Sequence, residues 1–493
     1  MIVKKTFGSL ICAEISANYG NVLAYLSIPY AKGKRFEKSV LIDEYSEEII
    51  NSEKNFCFPQ RSLHTGLNFF LKHHMMRDEW SVKGDIQSED SFVVNIWTRQ
   101  NPDNDPVLVF IHGSGDCNSG TTPIYNGANL ASKGIVVITI TYRIGNFGYL
   151  PVFDGLKLTA NLAYYDQQLA LKWIREHVSE FGGNERNITL MGHSGGALAV
   201  NSHYLNEVSS QYFDKCIICG GPVPRIKEDE NLRNDYEEML SANKCRNLED
   251  LKSLDSKKII KLKRAKMKEV LDGDFFREPS QEALNKKSFL PKPVLIGSNS
   301  DEFSMIELPM YYKFMGIARK AKNLDKALRE HYGSYVEYLK EEFKSESADI
   351  IDLQIKILEA LVFHNSVYNL MNIYSEKSPV YGYRMEYVPN LYKGLRGAYH
   401  GVEVALFFDN LDKMKIEITE ENRKQTERLQ RDWLSFIKTG KILSADTYNS
   451  SGKIILYRGT EAEMTDFPHA DFFRSINKTD LPEKMMEKFL AGR

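Results

Sequence analysis

The sequence has almost no net charge and no long hydrophobic run. Its 493 residues contain 64 lysines and arginines against 66 aspartates and glutamates, a net charge of −2. Proteins that bind nucleic acid neutralise phosphates with clustered basic side chains, and no such cluster offsets the balanced charge here. The longest apolar stretches, such as 134–140, are far shorter than the roughly 18 residues of a membrane-spanning helix. Neither a nucleic-acid partner nor a membrane-embedded chain is therefore expected.

Cysteine is scarce as well, with six residues in the whole chain. Disulfide frameworks belong to short secreted chains that are dense in cysteine, so we expect reduced thiols. Cys216 and Cys219 have the C-x-x-C spacing of redox and zinc motifs, but no second pair completes a tetrahedral site, and the apolar segment KCIIC favours a buried strand. The segment MIVKKTFGSLICAEI has no apolar core or cleavage site of a secretory signal. The sequence thus predicts a cytoplasmic protein without a metal ion.

What the sequence does contain is an alternation of strand and helix patterns. This order is typical of an α/β fold whose mostly parallel sheet is covered by helices on both faces. An amphipathic helix is predicted over 161–181, beginning at an Asn161 cap and ending at Gly182 and Gly183. The predicted strands are SFVVNIW (91–97), VLVFIHG (107–113), GIVVITITYR (134–143), NITLMGHS (187–194), PKPVLIG (291–297) and VYGYRMEYV (380–388).

Two charged segments with helical spacing, 225–287 and 307–377, interrupt the strand pattern. Such insertions usually cap the active site in α/β enzymes, although an exposed decorative surface explains the charge equally well. A late amphipathic helix is predicted over 425–440. No linker, repeat or low-complexity segment divides the chain, so residues 1–493 are predicted to form a single domain.

The segment Gly192-His193-Ser194-Gly195-Gly196 fits the pattern G-x-S-x-G. A serine on a sharp turn between a strand and a helix needs glycines where a side chain would collide with the backbone. The pattern is weak by itself, but strand residues precede it and the small residues GALAV follow it. The sequence therefore predicts Ser194 as a nucleophile.

A second glycine-rich segment, His112 to Gly115, follows the predicted strand VLVFI. One interpretation is an ordinary loop between a strand and a helix. The other is an oxyanion loop, in which glycine leaves backbone N–H groups free to point at a developing alkoxide, and each such donor is worth about 3–4 kcal/mol.

Together these blocks resemble the type-B carboxylesterase and cholinesterase family, in particular its bacterial para-nitrobenzyl-esterase-like members, over nearly the whole chain. The resemblance implies an α/β-hydrolase fold with helical insertions that cap the active site. The segments that carry it are YLSIPYA (25–31), SED with NIW (88–97), TYRIGNFGYL (141–150), the block from Asn161 to Gly196, and the terminal helix around Trp433.

The same resemblance implies a triad in the chain order serine, acid, histidine. LIGSNSDEF is similar to the family's acid block and makes Glu302 the acid, while GAYHGVEVALFF is similar to its histidine block and makes His400 the base. His400 then takes the proton of Ser194 as the hydroxyl attacks an ester carbonyl, and Glu302 orients the imidazole. The implied oxyanion donors are the backbone N–H groups of Ser114, Gly115 and Gly195.

The chain departs from the family at several positions near this triad. Ser114 replaces an oxyanion-loop glycine and Asp116 replaces the aromatic residue that follows, so a carboxylate stands where it would oppose the oxyanion. His193 replaces a glutamate, which should weaken the attraction for cationic alcohol groups. Gly220 replaces a serine that supports the triad, and Ser91 replaces a cysteine that forms a disulfide in secreted members.

The leading hypothesis is a serine carboxylic-ester hydrolase that acts on small to medium, partly apolar esters. It expects a small-molecule ester substrate, no cofactor and no obligate protein partner. An amidase, lipase or thioesterase would use the same triad, because the preferred leaving group depends on the shape of the pocket. A non-catalytic binding protein of the same fold is a further alternative, which the presence of Ser194, Glu302 and His400 opposes.

Overall fold

The computed structural model describes residues 2–6, 8–42, 45, 55–61, 82, 84–222, 226, 228–304, 317–389, 397–414, 417–459 and 463–485. Its centre is a sheet of eleven strands. In chain order they are β1 (Ala13–Ala17), β2 (Gly20–Pro29), β3 (Val93–Arg99), β4 (Asp105–Ile111), β5 (Val136–Ile140), β6 (Gly183–His193), β7 (Lys215–Cys219), β8 (Val294–Asn299), β9 (Val380–Met385), β10 (Lys453–Tyr457) and β11 (Glu463–Asp466).

The strands lie in the order β11-β10-β9-β8-β7-β6-β4-β5-β3-β2-β1. In this order, each strand from β10 through β9, β8, β7, β6 and β4 is parallel to the next, up to β5. This confirms the mostly parallel sheet. β3 pairs antiparallel with β5, and the outer pairs are antiparallel too. The direction of β3 has a simple cause, since residues 100–104 are too few for the long crossover that a parallel return requires.

Helices cover both faces of this sheet. The longest are those whose sequence shows an apolar stripe at helical spacing. The described helices are α1 (Ala128–Ala131), α2 (Gly145–Tyr149), α3 (Leu162–His177), α4 (Gly195–Leu205), α5 (Leu232–Ala242), α6 (Leu248–Lys252), α7 (Ser256–Ile260), α8 (Ser280–Lys286), α9 (Leu324–Tyr332), α10 (Val336–Phe343), α11 (Ile350–Glu359), α12 (Asn365–Ser375), α13 (Val402–Phe408), α14 (Glu420–Thr439), α15 (Tyr448–Ser451) and α16 (Ala470–Ile476).

Alternate residues of each central strand enter two different cores, because successive side chains of a strand point to opposite faces. Val107 of β4 belongs to the core that contains Trp173 of α3, and Leu108 belongs to the core that contains Trp433 of α14. The apolar, β-branched composition of the strands therefore reflects burial on both sides of the sheet.

The strand β7 contains the C-x-x-C pair, and all five of its residues are buried. Cys216 and Cys219 are free thiols that face the two different cores, so they are not placed to bond to each other. Burial raises the pKa of both thiols above its ordinary value. The predicted buried strand is confirmed.

Two sequence predictions about helices need correction. Asn161 precedes α3 but does not cap it; its backbone has φ 55°, and its side-chain amide donates to the carbonyl of Val270 instead. Asparagine tolerates this left-handed conformation, and its amide links the start of α3 to the segment that contains Val270. The region 225–287 is only partly helical, with the short helices α5 to α8 separated by irregular chain.

Part of the second insertion, 307–316, lies outside the described residues, and the remainder is the helical layer α9 to α12. Between α11 and α12 the chain forms a π-helix over Ala360–His364. None of the described helices combines the length and the apolar character that crossing a membrane requires.

Candidate active site

Ser194 lies on the sharp turn between β6 and α4. Its backbone has φ 57° and ψ −120°, a strained conformation for a residue with a side chain. The turn closes because its flanking glycines have no Cβ. A Cβ on Gly192 would lie 2.2 Å from the carbonyl oxygen of Gly196, and one on Gly196 would lie 2.1 Å from that of Ile111. The glycines of the motif thus stand where a side chain would collide with backbone.

The glycine-rich loop after β4 packs directly against this turn. A Cβ on Gly113 would lie 2.9 Å from the Cβ of Ser194, and one on Gly195 would lie 3.4 Å from the backbone nitrogen of Ser114. Ser114 also has a positive φ, 63°, which is the strained region for serine. Its hydroxyl donates to Asp116 Oδ1 at 3.2 Å, so the carboxylate is tied to the loop rather than turned away from it.

His400 and Glu302 meet although they are 98 residues apart in the chain. Glu302 follows β8 and is 2% exposed, whereas His400 precedes α13. Nδ1 of His400 and Oε2 of Glu302 share a short hydrogen bond. The other oxygen of Glu302 accepts the backbone N–H of Asn299 at 2.8 Å. Two N–H groups therefore orient this carboxyl group.

Gly220 stands beside this pair, at the position where the resemblance implied a supporting serine. A Cβ there would lie 3.0 Å from Glu302 Oε1 and 3.4 Å from His400 Cε1. The position is therefore in contact distance of both residues, and glycine supplies no hydroxyl to either of them.

His193 is the second departure that reaches the site. Its ring centroid lies 4.4 Å from that of His400, and the residue is only 5% exposed. Burial lowers the pKa of His193 well below its ordinary value, and a charge on His400 would lower it further. His193 is therefore a neutral ring packed on His400.

The chain is similar to known proteins in sequence and in structure. The sequence profile of the carboxylesterase family matches residues 2–453. The chain belongs to the carboxylesterase family. The resemblance and the enzyme class predicted from the sequence are both confirmed by this match.

Individual relatives of this carboxylesterase agree with the family. It is 28% identical over 376 residues to para-nitrobenzyl esterase of Bacillus subtilis (strain 168), an overlap of 72% of this chain and 75% of that protein. It is 26% identical over 473 residues to cocaine esterase of Homo sapiens, covering 88% of this chain and 82% of that one. Acylcarnitine hydrolase of Mus musculus is 28% identical over 388 residues, covering 72% and 68%.

Solved structures of similar shape establish the fold of the carboxylesterase. One PNB esterase superimposes with a TM-score of 0.79 at 24% identity, covering 96% of this chain and 98% of the other. A thermophilic PNB esterase gives the same TM-score and identity and covers 96% and 99%. The α/β-hydrolase fold is therefore confirmed.

Sequence reasoning missed a second buried carboxyl group in this carboxylesterase. Glu403, on the first turn of α13, is 0% exposed, and its Oε2 accepts the side-chain amide of Asn299. Its other oxygen has no hydrogen-bond partner among the described residues. Asn299 thus bridges Glu302 and Glu403. Glu403 follows His400 by three residues, but nothing in the sequence shows that Glu302 and Glu403 accept hydrogen bonds from the same asparagine.

Glu302 and Glu403 repel each other as anions. Burial raises the pKa of each carboxyl to about 8. A charge on Glu302 raises the pKa of Glu403, so the protonation of the pair is coupled. Glu302 accepts N–H groups from Asn299 and His400, and Glu403 accepts the side-chain amide of Asn299. When Glu302 is ionised it can only accept, so the proton of the His400 ring is then on Nδ1 and Nε2 is left as an acceptor.

This pair should make stability fall with rising pH. Between pH 4.5, the ordinary pKa of a glutamate, and about pH 8, the folded chain holds more protons on these carboxyls than the unfolded chain does. The free energy of unfolding therefore falls as the pH rises through the pKa of the folded state. Glu403→Gln removes one of the groups. We expect the fall in the free energy of unfolding between pH 5 and pH 8.5 to shrink by about 1 kcal/mol or more, measured by urea denaturation.

The matched control is Glu341→Gln on the exposed side of α10. It should keep the wild-type dependence on pH. The buried histidines act in the opposite direction below about pH 6.5 and contribute equally to all three proteins. A Glu403→Gln variant that loses as much stability as wild type over this range would contradict the assignment.

Within the described residues, no group of three or more His, Cys, Asp or Glu side chains is arranged to hold a metal ion.

Proposed function

We propose that the enzyme hydrolyses small to medium, partly apolar carboxylic esters through an acyl-enzyme on Ser194, with His400 as the base and Glu302 as the acid that orients it. The observation that carries the proposal is the hydrogen bond between His400 and Glu302, with His400 packed on His193, the residue before the serine of a strained strand-to-helix turn. Membership of the carboxylesterase family supports the same chemistry.

The proposed steps follow from where the protons are. Nε2 of His400 accepts the hydroxyl proton of Ser194 as the serine oxygen bonds to the ester carbonyl carbon. The carbonyl oxygen becomes an oxyanion, which the backbone N–H groups of Ser114, Gly115 and Gly195 are proposed to bind. When the carbon–oxygen bond of the ester breaks, His400 returns the proton to the departing alcohol. Water then attacks the acyl-serine by the same route and releases the acid.

The substrate class is supported by the surroundings and by the relatives. Phe303 and Phe363 pack edge to face at 5.0 Å, and Phe363 contacts the ring of His400, so apolar side chains lie beside the proposed base. Burial opposes a charge on His193 as well. Relatives named for para-nitrobenzyl and pyrethroid hydrolysis support partly apolar esters of moderate size as the class to test.

The experiment is a panel of p-nitrophenyl esters of increasing acyl length, with the matching anilides and thioesters. We expect the highest kcat/KM on short to medium acyl esters and at least about tenfold less on the anilides, which have a poorer leaving group. Preference for an anilide or a thioester would replace the ester assignment with an amidase or thioesterase.

A further inference from the structure

The geometry points to His193 as a positioning residue that holds the ring of His400 by packing against it. The inference rests on the proposed function, because it takes His400 as the base. It concerns a position where this chain departs from its family, and it assigns His193 no part in proton transfer.

The hydrogen bond to Glu302 does not by itself fix the orientation of the His400 ring. The bond from Nδ1 to Glu302 fixes one atom of the imidazole, while rotation of the ring about that contact would move Nε2, the atom proposed to face Ser194. A displacement of about 1 Å at such an atom can cost a hundredfold in rate. Packing on the flat surface of the ring is the direct way to prevent this rotation.

Within the part of the chain that the structure describes, the rings of His193 and Phe363 pack on that of His400. The centroid of His193 lies 4.4 Å from that of His400 with the planes inclined by 43°, and the centroid of Phe363 lies 5.1 Å away with an inclination of 48°. His193 reaches the site from the end of β6, and Phe363 from the π-helix Ala360–His364. The two supports therefore come from different elements of the fold.

His193 also occupies the space over the residue after His400. A Cβ on Gly401 would lie 2.9 Å from His193 Cε1, and Gly401 has φ 91°, a conformation that favours glycine. The backbone that carries His400 can thus approach the His193 ring closely. The ring limits movement of both the side chain and the backbone at this position.

The nitrogen atoms of His193 do not explain its place. Nε2 is buried and has no hydrogen-bond partner among the described residues, so it does not orient His400 by hydrogen bonding. An imidazole used as a base must hold a proton in the course of the reaction, and burial against His400 opposes a charge on His193. The flat shape of the His193 ring is therefore the property that we propose to act on His400.

The test compares two substitutions that separate the ring from its nitrogens. His193→Gln keeps a neutral polar group but removes the ring, and His193→Phe keeps a ring but removes the nitrogens. For His193→Gln we expect kcat on a p-nitrophenyl ester to fall about tenfold with KM within about twofold of wild type. The second-order rate of Ser194 labelling by a fluorophosphonate should fall by the same factor. His193→Phe should recover both rates to within about threefold of wild type.

His203→Gln is the matched control, because His203 is another buried histidine, on α4, whose Nε2 bonds to Gln167. It tests the cost of losing a buried imidazole away from His400, and its kcat should stay near that of wild type. Thermal unfolding of all variants shows whether each is folded.

Three results would overturn the inference. If His193→Phe is as slow as His193→Gln, a nitrogen of the imidazole is required. If His193→Gln changes KM alone, the residue binds substrate. If His193→Gln has the kcat of wild type, the ring of His193 does not position His400. Failure of the proposed function has a different signature, since the wild-type enzyme would then show no fluorophosphonate label on Ser194.

Discussion

Replacing Ser194 with alanine should lower kcat on p-nitrophenyl esters by about 10⁴-fold or more and abolish labelling by a fluorophosphonate. The oxygen of Ser194 is the atom proposed to form the covalent bond, and Ser194 lies on a strained turn with φ 57°. Only a hydroxyl beside a base reacts with these reagents at useful rates. Steady-state kinetics and intact-protein mass spectrometry measure the two effects.

The matched control is Ser202→Ala, a buried serine on the same helix whose hydroxyl donates to the carbonyl of Leu198. It should retain activity and the label, apart from a small loss of stability. Label on any residue other than Ser194, or wild-type turnover in Ser194→Ala, would refute the assignment of the nucleophile.

Replacing His400 with alanine should lower kcat by about 10³-fold or more, whereas His193→Ala should cost about tenfold or less. His400 shares a hydrogen bond with Glu302, which sets the ring tautomer that a base needs. Among the residues that the structure describes, no carboxylate bonds to His193, and burial opposes a charge on it. The same ester assay, with thermal unfolding to confirm that both variants fold, measures the ratio of the two losses.

Equal losses from the two alanine variants would make the histidine pair a shared base and remove the distinction drawn between them.

Added imidazole offers a second measurement. It should restore part of the activity of His400→Ala, because free imidazole can replace the proposed base, and should restore less in His193→Ala, where the base is still present.

Local signals in the sequence identified most of the elements that hold the site. Apolar, β-branched runs predict the strands β4 to β8, and the glycines around Ser194 predict its turn. Both signals depend only on residues that are adjacent in the chain. Glu302 and His400 came from a resemblance to a family, since a lone acid or histidine in a loop carries no signal of its own. The single domain and the cytoplasmic location stay predictions.

The sequence by itself determined the α/β class, the glycine turn and the buried strand around Cys216, all of which follow from short-range sterics and hydrophobicity. Only the tertiary structure decided what each polar group faces. Asn299 donates to Glu403, and His193 packs on His400, through contacts between residues about 100 and about 200 positions apart in the chain. Burial at these contacts raises the pKa of Glu302 and Glu403 and opposes a charge on His193, because the cost of a charge depends on the groups that surround it in space.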